Sequence, residues 1–224
     1  MKEQIEDKNT EMGNVITRSE EFIHRNQKTI ITVVAAVAVV VLAIFGVNKW
    51  YLQPREERAA AEMFAAEQYF LQGEWQKALE GDETNRGFNS VIDNYGSTKA
   101  GNLAKYYAGI ANLQLGNYDE AIKWLGKYNG KDTFTKPLAI MAEGDALMEQ
   151  GNTEKAVKQY LAAAKADDNP VTAPSALFTA GMGYMMLGQQ DKAAETFKKI
   201  KKNYPSSTEW PEIDKYIALA EAEK

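Results

Sequence analysis

The side chains able to do chemistry are few and poorly spaced for it. The 224-residue chain has no cysteine and a single histidine, His24. Disulfides, thiolate nucleophiles and Cys-ligated zinc are therefore excluded, and a His-dependent triad or multi-His metal site has nothing to build on. "GDETNRG", Gly81 to Gly87, lacks the spacing and the closing Glu of a calcium loop. "GNLAKYYAG", Gly101 to Gly109, lacks the Gly-Lys-Ser/Thr ending that holds phosphates, and no strand pattern precedes it. Asp167 and Asp168 stand before Asn169-Pro170 and read as a turn. No catalytic residue, cofactor or metal is expected, and the chain reads as a non-enzyme. Its 26 Lys and Arg are spread along a chain of net charge −5, so nucleic acid is not an expected partner.

What the chain does contain is a repeated spacing of small residues. "GNYDEAIKWL" at Gly116 recurs in outline as "GEWQKAL" at Gly73, "GNTEKAVKQYL" at Gly151 and "GQQDKAAETF" at Gly188. Gly109, Gly116, Ala121 and Leu125 form one set; Gly144, Gly151, Ala156 and Tyr160 the next; Gly181, Gly188, Ala193 and Phe197 the third. In the first copy Ala66 takes the leading small place. The period is close to the roughly 34 residues of a helix-turn-helix repeat. Small residues let two helices approach closely, and a glycine between them ends the first helix in the left-handed conformation without steric cost. Asp119, Glu120, Glu154 and Asp191 then fall in the first turn of each second helix, where the macrodipole favours them. Tyr204-Pro205 stops the last one. In the first unit "EGDETNRG" interrupts the second helix before "FNSVIDNYGS" resumes a pattern that "FKKIKKNYPS" repeats from Phe197, which leaves the path of that unit open.

A second feature is the run "IITVVAAVAVVVLAIFGV", Ile30 to Val47, eighteen residues without a charge. As a helix it is about 27 Å long, enough to cross a bilayer core. Lys28 and Lys49 bracket it, and Trp50 and Tyr51 supply rings suited to the headgroup layer. A buried core helix is the competing reading, and it rarely lacks a polar stripe for five turns. A cleaved signal peptide would be shorter and end in small residues, whereas "VNKWY" follows Gly46 here. The expected organisation is a cytoplasmic tail at 1–28, a transmembrane helix at 29–50 and a helical-repeat domain at 51–224. The tail carries few large apolar residues, so nothing beyond a helical turn at "EEFIHRN" is expected of it. Arg18, Arg25 and Lys28 on one side balance Lys49, Arg55 and Arg58 on the other. The positive-inside rule thus does not select an orientation, and the short charged tail is assigned to the cytoplasm. Asn48 to Gln53 reads as a tether of at most roughly 20 Å, with Pro54 opening the first soluble helix.

The repeated sets resemble the tetratricopeptide repeat family over Ala59 to Pro205. The family's Trp early in the first helix is replaced by Lys105, Ile140 and Leu177, and in the regular units its Tyr survives only as Tyr184. The resemblance implies an all-α fold: a right-handed α-solenoid of about four hairpins, closed by a capping helix from Trp210 to Glu223. It also implies a concave groove, lined by the first helix of each hairpin, that binds peptides. The places it assigns to that groove are the second, fifth, ninth, twelfth and thirteenth of each unit. Among them are Met63 and Phe70 in the first unit and Leu103, Tyr106, Ile110 and Leu113 in the second. The third unit contributes Met141 and Met148, and the fourth Phe178, Met182, Met185 and Met186. Every methionine beyond the apolar run falls in this set. Flexible thioethers suit a surface that accepts many apolar sequences; equally, they suit packing between neighbouring first helices. Leu103, Tyr106 and Ile110 stand where some family members carry the Lys and Asn that clamp a C-terminal carboxylate, so that mode is not expected.

The order of parts, together with the stretch Ser97 to Leu125, resembles the YfgM-like ancillary subunits of the bacterial Sec translocon. That resemblance implies a single-pass inner-membrane protein with a periplasmic domain. Its implied partners are SecYEG, a periplasmic folding factor and exported polypeptides, with membrane lipid around the one span. The alternative is a structural scaffold of another envelope complex, holding one fixed partner.

Overall fold

The computed structural model of the chain describes residues 2–222, with the side chains of Phe22 and of residues 25–222. Met1, the remaining side chains of the expected tail and Glu223 of the expected capping helix lie outside that range. The described residues are helical, with one isolated antiparallel bridge between Gly81 and Arg86. The chain divides into two compact units, Met1–Pro54 and Arg55–Lys224.

In the first unit α1 runs from Lys2 to Val47. The expected tail is thus helical along its described length rather than limited to a turn. Its Glu, Gln, Lys and Arg residues are good helix formers. From Ile31 to Val47 the apolar side chains stand uncovered, Leu42 being 68% exposed. The most apolar eighteen residues have a mean hydropathy of 3.1, and none of that window is buried. One helix is therefore long and apolar enough to cross a membrane, and it lacks the cover of a core helix. Thr32, the one hydroxyl in the run, donates to the Lys28 carbonyl at 2.9 Å, so its polar group is satisfied within the helix.

After Val47 the helix widens into a π-helical turn, Asn48–Leu52, in which the Gln53 N–H reaches the Asn48 carbonyl. The segment read as a short tether, Asn48 to Gln53, is helical. Pro54 accounts for the widening: it has no N–H, and in a regular α-helix its ring collides with the carbonyl four residues back. Lys28, Lys49, Trp50 and Tyr51 are all exposed, and the Lys49 ammonium lies 5.9 Å from the Phe45 ring.

The second unit holds four hairpins and a cap. α2 (Gln53–Leu71) packs on α3 (Trp75–Glu80) and α4 (Phe88–Tyr95) through the cluster that joins Met63 and Ala66 to Ala78, Leu79, Phe88 and Val91; α5 (Lys99–Gln114) pairs with α6 (Tyr118–Lys127). α7 (Thr135–Glu149) pairs with α8 (Thr153–Ala166), and α9 (Thr172–Met186) with α10 (Gln190–Asn203). A 3₁₀ turn, Trp210–Glu212, leads into α11 (Ile213–Ala222). Each second helix meets the next unit's first helix, and α5, α7 and α9 touch in succession, which is the contact pattern of a helical solenoid.

Local chemistry accounts for the turns. Gly73, Gly116, Gly151 and Gly188 have φ of 75°, 78°, 75° and 67°. The residue after each one donates its N–H back to a carbonyl five residues earlier: Glu74 to Tyr69, Asn117 to Asn112, Asn152 to Leu147 and Gln189 to Tyr184, each at 2.9 Å. This is the Schellman closure, and it needs a left-handed residue at those four points. Close approach follows within each regular hairpin. A Cβ added to Gly109 would stand 2.5 Å from Leu125 Cγ, one on Gly144 2.6 Å from Tyr160 Cε1, and one on Gly181 2.4 Å from Phe197 Cε1.

The first repeat solves its insertion by looping it out. One oxygen of Asp82 accepts the N–H groups of Thr84 and Asn85 at 2.8 and 2.7 Å, and the other accepts the Tyr69 hydroxyl. The Tyr69 hydrogen bond first, then those backbone N–H groups, hold the Asp82 carboxyl well below the usual carboxylate range. Beyond the loop Phe88 and Val91 are fully buried, as are Phe197 and Ile200 at the matching points of the fourth unit. The first and second repeats are also latched by Glu56, whose carboxylate accepts the Lys99 and Ala100 N–H groups at 2.8 Å each, a favourable place for negative charge at the start of α5. At the other end Ile213, Ile217 and Ala220 of α11 cover the Phe197 and Ile200 side of α10.

Candidate functional site

The first helices α2, α5, α7 and α9 carry the places assigned to the groove, and the packing divides those places into two groups. The fifth and twelfth places pack inward or onto the neighbouring unit. Met63 is 3% exposed, in one cluster with Ala66, Phe88 and Ala108. Phe70 meets Trp75 and Tyr107 edge-on at 5.0 Å each. Tyr106 and Leu113 pack toward Ala139, Ala142 and Ala146 of α7. Met141 and Met148 join the cluster of Leu147, Val157 and Ala180, which bridges α7, α8 and α9. Phe178 and Met185 pack on the Phe197 cluster, with Phe178 also meeting the Tyr216 ring of α11 at 4.7 Å.

The second, ninth and thirteenth places stay open or half open. Leu103 and Ile110 are half-buried beside α7, whereas Leu138, Met182 and Met186 are 41%, 37% and 69% exposed. Of the two readings of the methionines, packing holds for Met63, which is buried; Met141, Met148 and Met185 are half-buried against the stack, and Met182 and Met186 are exposed. An unbranched thioether fills the irregular gaps between three helices, so the same adaptability that would suit a groove is used within the stack.

Carboxylates share the open places. Asp145 accepts the Tyr160 hydroxyl at 2.8 Å. Burial raises the Asp145 carboxyl, the Tyr160 hydrogen bond lowers it, and nearby Glu149 raises it again. Burial likewise raises Glu67 on α2. Glu149 receives the Tyr118 hydroxyl at 3.5 Å, the limit of a hydrogen bond. Among the described residues no three His, Cys, Asp or Glu side chains group as a metal would require.

Other exposed apolar residues escape a reading based on spacing. Phe134 and Val171 are exposed immediately before α7 and α9. Their shared distance from Pro137 and Pro174 is the signal that could have found them. Phe64, exposed on α2, falls at the place that Tyr107 and Ala142 occupy in the next two units, where each packs against the unit before.

Comparison with known proteins agrees with this geometry. Residues 141–208 match the tetratricopeptide repeat family. Among solved structures, the nearly identical TPR-like repeats of a Podosopora anserina protein described as a putative kinesin light chain superpose with a TM-score of 0.55. That match covers 74% of this chain and 86% of that one at 15% identity. No curated protein matches the sequence. The fold is thus a tetratricopeptide-like helical solenoid, typically a non-catalytic module for binding other proteins.

Proposed function

We propose that this chain is a membrane-anchored, non-catalytic binding module of the bacterial inner membrane, a YfgM-like ancillary subunit at the Sec translocon. Residues 29–50 span the bilayer, the N-terminus is cytoplasmic and the solenoid is periplasmic. There it assists translocation or folding of exported polypeptides, beside SecYEG and a periplasmic folding factor. The observation that carries the reading is the apolar run Ile30–Val47, uncovered from Ile31 onward, with Lys28 and Lys49 at its ends and Trp50 and Tyr51 beside it. A binding module rooted in this way is confined to proteins that reach the membrane, and polypeptides emerging from a translocon are such proteins.

A second reading, a scaffold holding one fixed partner of another envelope complex, is favoured by the packing of Met63, Met141, Met148 and Met185. Side chains held within a stack give a firmer surface than a free thioether bed. Mild detergent extraction of native membranes, followed by identification of co-purifying proteins, separates the two. Recovery of SecY supports the translocon role. A different stoichiometric complex without SecY assigns the chain to the scaffold role.

A further inference from the structure

We infer that the C-terminal half of the groove takes a cationic amphipathic segment of a partner polypeptide. Its apolar side chains rest on Leu138, Met182 and Met186, and its Lys or Arg heads meet Asp145 and Glu149. The inference rests on the groove reading above and adds the chemistry of the occupant.

Charge in this half of the domain is sorted by helix. From Leu138 onward α7 carries Glu143, Asp145 and Glu149 and no cation, and α9 carries no charge at all. The second helices α8 and α10 together hold eight lysines against Glu154, Asp191 and Glu195. Glu143 is satisfied by the Gln159 amide at 2.7 Å between the two helices of the hairpin. Asp145 and Glu149 are different: both residues are exposed, although the Asp145 carboxyl is itself partly covered where it meets Tyr160, and neither forms an ion pair among the described residues. Asp145 receives one hydroxyl, and Glu149 only the distant one from Tyr118.

Leu138, Met182 and Met186 give an apolar occupant its area. Leu138, Asp145 and Glu149 belong to one helix, α7, which touches the α9 that carries Met182 and Met186, so an occupant lying across both helices also removes water from those carboxylates, and an uncompensated buried charge opposes binding. A cation at the same point offsets that loss with a charge-assisted hydrogen bond. Asp145 and Glu149, four residues apart on α7, share one helix face. Two basic residues one helical turn apart, or alternate residues of an extended strand, match that separation.

The test uses the full-length protein in lipid nanodiscs and three labelled peptides of Leu and Gln. One carries two Lys four residues apart, one two Glu at those positions, and one neither. Fluorescence anisotropy should show the Lys peptide binding about tenfold more tightly than the neutral one, with the advantage shrinking as salt rises. The double variant Asp145→Asn, Glu149→Gln keeps an acceptor for Tyr160, so its thermal melt serves as the folding control; it should lose the preference. Equal binding of all three peptides, or preference for Glu, overturns the inference and leaves the groove reading standing. Binding of none removes both. A Lys preference that survives in the variant overturns the assignment to these carboxylates. Self-association that the variant abolishes, with no peptide binding, gives the face to a second copy instead.

Discussion

The Tyr160 ring fills the space left by the absent side chain of Gly144, where an added Cβ would lie 2.6 Å from its Cε1. Its hydroxyl donates to Asp145, the next residue along α7, at 2.8 Å. One side chain therefore sets the spacing of a hairpin and holds a carboxylate of the groove. Stack and site are coupled at this point.

Gly144→Ala should destabilise the domain by about 1–3 kcal/mol through overpacking, read as a lower urea midpoint. Gly151→Ala tests a different cause, because nothing lies within 4 Å of the added Cβ and only the φ of 75° opposes it. Its cost should be about 1 kcal/mol, partly recovered in Gly151→Asn, since Asn tolerates the left-handed region. Gly144→Asn should recover nothing.

Phe88→Ala and Phe197→Ala should cost similar amounts, about 3–5 kcal/mol each, because both rings are fully buried at matching points of their units. Asp82→Ala should act locally instead. Hydrogen exchange should quicken across residues 81–87, with the amides of Val91 and Ile92 still protected.

The pH dependence of Asp145 has a definite sign. Its carboxyl is raised in the folded state, mainly by burial, so the folded protein binds a proton more readily than the unfolded chain. Ionised Asp145 is accordingly destabilising at neutral pH. That penalty is relieved as pH falls through the raised folded value, and is gone below the ordinary carboxylate value. Asp145→Asn should be at least as stable as the parent at pH 7, with the gap between their melting temperatures closing as the medium is acidified. A gap that widens in acid contradicts this account.

Met182→Lys with Met186→Lys should leave the circular dichroism melt unchanged and abolish cross-linking to apolar peptides, because both side chains face solvent. Met63→Lys places a charge in a site 3% exposed and should unfold the first repeat.

Val37→Asp with Val41→Asp should release the protein from membranes in carbonate extraction, each charge costing about 2.5–3.5 kcal/mol near the centre of a span. For the proposed topology, protease added outside spheroplasts should remove the repeat domain and spare residues 1–28.

Much of the architecture was legible in residue types, because the rules that set it are local. A left-handed turn requires Gly73, Gly116, Gly151 and Gly188 whatever surrounds them, and helices that approach as closely as α7 and α8 require Gly144. The echo between Phe88 and Phe197 is visible in the sequence as well, but it leaves open the path of the first repeat, which the loop built on Asp82 decides. The segment before Pro54 was not legible, because a proline there suits a helix start after an open tether and equally a wider π turn within continuous helix. The groove was only half legible. Spacing along one helix states which side chains share a face, and Met141 and Met182 are alike by that measure.

Sequence alone thus determined the anchor-like run, the hairpins and the cap, since each depends on contacts between residues near in the chain. The tertiary structure decided that Met141 packs while Met182 faces solvent, and that Asp145 and Glu149 are exposed without an ion pair among the described residues. Those outcomes depend on how three helices from two units fill the volume between them, a many-body packing constraint that no single helix encodes.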